Sequence, residues 1–205
     1  MSVRVKICGI TRVEDAVSAV NLGADAIGFV FWPKSARYVT PQRAREISAE
    51  IPAFISTVGV YVDPDRDWVL ETASTAKLGL LQFHGDEEPG FCEQFSLPYI
   101  KAIRVKDGID LLQYATRYNT AKGLLLDTYA KNMPGGTGHV FDWRLIPMQL
   151  PLPLILSGGL NADNVSAAIN QVRPWAVDVS SGVEVTKGIK DEQKISAFMQ
   201  GVLEK

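Results

Sequence analysis

The feature that most constrains this chain is an alternation repeated eight times: a short apolar run of buried-strand type, a polar turn, and then a helix-forming stretch. The runs end at Cys8, Phe31, Val62, Phe83, Val105, Asp127, Leu156 and Val179. The stretches between them carry apolar residues at i, i+3, i+4, i+7, as in Val13, Ala16, Val17, Val20 and in Val165, Ala168, Ile169, Val172. That spacing is one face of a helix. A strand that always returns through a helix pairs in parallel with its neighbour, and eight such units close a barrel. The expectation is α/β: a single-domain (β/α)8 TIM barrel over residues 1–205. Dividing 205 residues by eight leaves roughly 26 per unit, tight for a fold that usually runs near ~250. Most connections must therefore be short. The exception is the glycine-rich stretch after strand six, Thr128–Gly138, which reads as a functional loop.

The competing architecture is an open doubly wound sheet. It predicts a G-x-G-x-x-G fingerprint in the first turn, where this chain has Cys8-Gly9-Ile10-Thr11. No Walker loop is present either.

Local signals fill in the ends. Thr11 and Glu14 have capping-box spacing for the first helix, Thr40-Pro41 opens the second, Asp63 the third and Asn161 the sixth. The charge is −2, with Lys and Arg scattered, so no basic stripe points to nucleic acid. The longest uncharged run, Leu145–Ala162, is broken by three prolines and a glycine pair, which excludes a membrane helix. Two cysteines make no disulfide framework. Cys92 falls with Phe91 and Phe95 on an apolar face and is expected in the core. With no apolar leader before the first strand, the expected compartment is the cytoplasm. The Asn164-Val165-Ser166 sequon is then incidental.

In this fold the sites gather where strands end. Those ends hold Cys8, Arg37 just past strand two, His84, Asp127, Ser157-Gly158-Gly159 and Asp178 through Gly182. The loops after strands seven and eight, with Gly158, Gly159, Ser180, Ser181 and Gly182, form the expected phosphate site, since glycine leaves backbone N–H groups uncovered. Asp127 ends an apolar strand, and a long loop with no clear helix start follows it. Partial burial raises a carboxyl's pKa and lets it hold a proton to donate. Cys8 is a reactive thiol at a strand mouth or a small buried hydrophobe; position alone leaves both open. Arg37 suits a carboxylate, which guanidinium binds through two bonds. His84 and Asp178 are further candidate substrate contacts, and His139 receives no role. The two His and two Cys show no ligand spacing, so no metal is expected, and no cofactor motif is visible. A thiol, a carboxyl and a phosphate grip imply cofactor-free proton transfer on a sugar phosphate.

The chain resembles the phosphoribosylanthranilate isomerase family. The resemblance is carried by Lys6-Ile7-Cys8-Gly9-Ile10-Thr11, by Gly28-Phe29-Val30-Phe31 with Pro33 to Val39, and by Leu81-Gln82-Phe83-His84-Gly85. Leu126-Asp127, Gly135-Gly136-Thr137-Gly138 with Phe141-Asp142-Trp143, Ser157-Gly158-Gly159-Leu160 and Asp178 to Glu184 complete it. These segments run from end to end in order. Ala36, where a proline is common, and Phe83, where a leucine is, are small departures. The resemblance implies a monofunctional enzyme of tryptophan biosynthesis performing an Amadori rearrangement without a cofactor. Its partner would be one small-molecule substrate, with no nucleic acid, membrane or obligate protein partner. By position, the resemblance makes Asp127 the general acid and Cys8 the general base. Arg37 would hold the anthranilate carboxylate and the two serine–glycine loops the phosphate. A thiolate near its ordinary pKa of ~8.5 would be adequate for the base role if slightly depressed.

Overall fold

The structure is a computed structural model that describes residues 2–106, 108–128, 143–147 and 149–204. Eight parallel strands close into a barrel in chain order: β1 (Arg4–Cys8), β2 (Ala26–Val30), β3 (Ser56–Tyr61), β4 (Leu80–Phe83), β5 (Tyr99–Val105), β6 (Leu124–Thr128), β7 (Leu154–Leu156) and β8 (Ala176–Val179). β8 closes on β1, with Lys6 beside Asp178 and Ile7 beside Val179. Among the described residues, seven α-helices pack outside: α1 (Val13–Asn21), α2 (Pro41–Ala49), α3 (Arg66–Ala76), α4 (Pro89–Cys92), α5 (Leu111–Arg117), α6 (Val165–Val172) and α7 (Glu192–Leu203). Between β6 and β7 the described residues contain a 3₁₀ turn over Trp143–Leu145. The loop expected over Thr128–Gly138 lies, past Thr128, outside the described residues, as does His139.

Because the strands are covered on both faces, they read as continuous apolar runs rather than alternating ones. Side chains on one face pack under the helices in the main core, with Phe29, Phe83, Leu124, Leu126 and Val177 buried there. The other face fills the barrel with a small plug of Ile100, Ala102, Leu125, Ile155 and Ala176. Period-two alternation carries that inner face upward. Two residues past Leu125, Ile155 and Ala176 stand Asp127, Ser157 and Asp178. The inner face thus turns polar at the carboxyl rim. Cys92 is buried in the core, as its helix face implied.

Three helix starts differ from expectation. α1 begins at Val13 with no side-chain cap, and the Thr11 hydroxyl donates instead to the Gly188 carbonyl at 2.5 Å. The capping box loses because tertiary folding offers that hydroxyl a better acceptor. Asp63 accepts from the Asp86 N–H at 2.6 Å, and α3 starts after Asp65. Asn161 accepts from the Asp163 N–H, so it closes a turn while α6 starts after Asn164. Thr40 and Pro41 do open α2, the Thr hydroxyl accepting from the Arg43 N–H. Past β8, a 3₁₀ turn (Ser181–Val183) leads into an antiparallel hairpin, β9 (Glu184–Thr186) with β10 (Ile189–Lys190), which the sequence pattern did not announce.

Candidate active site

The rim holds a cavity lined by Cys8, Arg37, His84, Asp127, Asp178 and the loops Ser157–Leu160 and Val179–Ser181. Nine of the ten residues picked from the sequence line it. Gly182, the tenth, is absent from that lining and packs where the Leu160 carbonyl leaves no room for a side chain. That close approach brings the two serine–glycine loops together. Gly158 and Gly159 take φ of +85° and +67°. Among the described residues, their N–H groups donate to no backbone carbonyl. Such turned-out donors suit an anion.

Asp127 is buried at the end of β6 and lies opposite His84, with Oδ2 3.1 Å from Nε2. The other ring nitrogen, Nδ1, is 3.0 Å from the Gln82 amide nitrogen. With Gln82 donating to Nδ1, the ring proton sits on Nε2 and is given to Asp127 Oδ2. The His84 loop is held from behind by a buried pair. Lys101 meets Glu87 at 2.8 Å and the Gly85 carbonyl at 2.6 Å, while Glu87 accepts from the Gly85 and Asp63 N–H groups.

Cys8 ends β1, buried at the cavity wall. Burial raises its thiol pKa, and Lys6, the strongest opposing influence, does not cancel that. Lys6 itself is buried. Burial works against its charge, but Asp178 and Cys8 outweigh it and its pKa is raised.

Arg37 is engaged on one edge. Its Nε and Nη2 donate to Glu184 Oε1 and Oε2, both at 2.7 Å. Nη1 makes no hydrogen bond among the described residues. Glu184 also takes the buried Lys190 ammonium at 2.9 Å, and Lys190 reaches the Ser180 carbonyl at 3.2 Å. Burial pushes the Glu184 carboxyl up, yet Arg37 and Lys190 together hold it below the usual carboxylate value. Lys6, Gln82, Glu184 and Lys190 were not picked from the sequence. Lys6, Gln82 and Glu184 lay within the matched segments, but only tertiary pairing shows what they do. No group of three or more His, Cys, Asp or Glu among the described residues is arranged to hold a metal ion.

The model of the N-(5'-phosphoribosyl)anthranilate (PRA) isomerase family matches residues 5–201. The chain belongs to this family. An N-(5'-phosphoribosyl)anthranilate isomerase from Nitrosospira multiformis is 67% identical over 202 residues, spanning 98% of this chain and 97% of the relative. Among solved structures, the phosphoribosyl anthranilate isomerase of Thermotoga maritima superposes with TM-score 0.90 at 45% identity, covering 99% of this chain and 100% of that one. A phosphoribosyl anthranilate isomerase in complex with reduced 1-(o-carboxyphenylamino)-1-deoxyribulose 5-phosphate superposes with TM-score 0.86 at 44% identity, covering 99% and 100%. The resemblance carried by the motifs and the family match agree over nearly the whole chain.

Proposed function

We propose that this barrel, acting as one unit over residues 1–205, converts N-(5-phosphoribosyl)anthranilate to 1-(2-carboxyphenylamino)-1-deoxyribulose 5-phosphate in tryptophan biosynthesis, without a cofactor. Asp127 protonates the furanose ring oxygen, the C1′–O bond breaks, and an open-chain iminium forms. Cys8, as the thiolate, takes the proton from C2′. The C–H electron pair moves into the iminium to give an enolamine, which tautomerises to the ketone. The iminium both acidifies C2′–H and brings a positive charge toward Cys8, which favours the thiolate over the thiol at the step that needs it. This ordering answers the raised thiol pKa of Cys8.

Arg37 offers its Nη1 edge to the anthranilate carboxylate while Glu184 fixes the opposite edge. Gly158, Gly159, Ser180, Ser181 and Gly182 cradle the phosphate. His84 and Asp178 face substrate at the cavity wall, their far sides serving Asp127 and Lys6. The expected compartment is the cytoplasm, and no helix among the described residues is long and apolar enough to cross a membrane.

The observation that carries the reading is that Cys8 and Asp127, 119 positions apart, line one cavity beside two serine–glycine loops. The experiment is growth of a tryptophan-requiring strain lacking this isomerase. The chain is expected to restore growth without tryptophan, and Cys8→Ala is not. Failure of the folded wild-type chain to do so refutes the assignment.

A further inference from the structure

The proton-transfer scheme leaves Lys6 without a part. Lys6 and Cys8 stand two apart on β1, so both face the barrel interior. Asp178 is Lys6's partner in register on β8, and its Oδ1 lies 2.8 Å from Nζ. Asp178 Oδ2 takes the Ser157 hydroxyl at 3.3 Å. On the other side, Gly28 of β2 is the register partner of Cys8. A Cβ built there would come within 3.0 Å of Cys8 Sγ and 3.2 Å of Lys6 Nζ. The missing side chain is the space in which ammonium and sulfur lie side by side.

A buried ion pair is a poor way to stabilise a barrel, since apolar residues of similar volume do as well or better. Its presence beside the thiol therefore points to chemistry. The charged groups around Cys8 are Lys6 on its own strand, Asp178 on β8, Lys190 on β10 and Arg37 after β2, with Glu184 between the last two. Among these, Lys6 acts most strongly on the sulfur in the direction of the thiolate.

We propose that Lys6, anchored by Asp178, is a positioning residue that supplies the counter-charge under which Cys8 becomes the thiolate base. The inference rests on the proposed role of Cys8. The thiol proton leaves to water in the cavity. Sulfur then takes the C2′ proton and returns to the thiol, while the C–H pair flows to the iminium nitrogen. Lys6 keeps all its protons and touches no reacting atom.

The test is the pH profile of Cys8 alkylation by iodoacetamide in the whole protein, read on the Cys8 peptide by mass spectrometry. In Lys6→Met the midpoint is expected to rise by about 1–3 units, the effect of removing an adjacent opposite charge. In Asp178→Asn it is expected to fall, because the carboxylate opposes the thiolate. At neutral pH, kcat of Lys6→Met should drop about tenfold or more and recover as pH rises, with KM little changed. If the lone buried carboxylate prevents folding, Lys6→Met/Asp178→Asn removes both charges and still moves the midpoint up. A midpoint that stays at the wild-type value in the folded variants overturns the proposal, whatever happens to kcat. Wild-type turnover in Cys8→Ala would instead refute the base role itself, so the two failures are told apart.

Discussion

Arg37 and Glu184 meet edge to edge, through two parallel bonds of 2.7 Å, across 147 residues of chain. The pair fixes the guanidinium plane at the cavity wall before substrate arrives. Such bidentate, charge-assisted bonds are stronger than neutral ones and set direction as well as energy.

Glu184→Gln keeps the shape but removes the charge and one acceptor. Loss of an ionised hydrogen-bond partner is worth about 1.5–3 kcal/mol, so KM is expected to rise about tenfold or more. Turnover at saturation should fall less. Steady-state kinetics check this, and an unchanged KM would detach Arg37's orientation from binding.

The same carboxylate governs acid stability. Its folded pKa lies below the ordinary value, so the unfolded chain takes up the proton first as pH falls. The stabilisation is complete above the unfolded carboxyl pKa of about 4.3 and is lost as pH drops through the lower folded value. Urea midpoints should therefore show the wild type's advantage over Glu184→Gln shrinking below about pH 4. An advantage independent of pH would count against the pairing.

Lys101 and Glu87 are both almost wholly buried behind the His84 loop, with Nζ 2.8 Å from Oε2. Lys101→Met strands a buried carboxylate and should cost about 3–5 kcal/mol of unfolding free energy. Lys101→Met/Glu87→Gln should recover part of that cost. Denaturant titration decides, and a single variant as stable as wild type would contradict the argument.

What the sequence disclosed follows from how it is written. Eight apolar runs alternating with helical faces left only one closed topology, and strand ends then named the rim: Cys8, Asp127, Asp178 and the serine–glycine loops. The pairings stayed hidden. Lys6 is a charge inside a strand, and the partner that explains it is 172 positions away. Glu184 and Lys190 meet only once β9 and β10 fold back against the rim. Thr11 looked like a local cap because Gly188, its acceptor, is 177 residues on. Local propensity reads local competition, and these groups are decided by long-range partners. Desolvation of Cys8 was hidden for the same reason, since it depends on the whole barrel closing over one sulfur.

The central claim is that one thiol on β1 and one carboxyl on β6 carry the two proton transfers. The most direct measurement is turnover at saturating substrate for Cys8→Ala and Asp127→Asn, each checked for wild-type folding. Removing a proton-transfer partner typically costs 10²–10⁴-fold, so each variant is predicted to lose about 100-fold or more while still binding the phosphorylated ligand. Wild-type turnover in either variant would contradict the account.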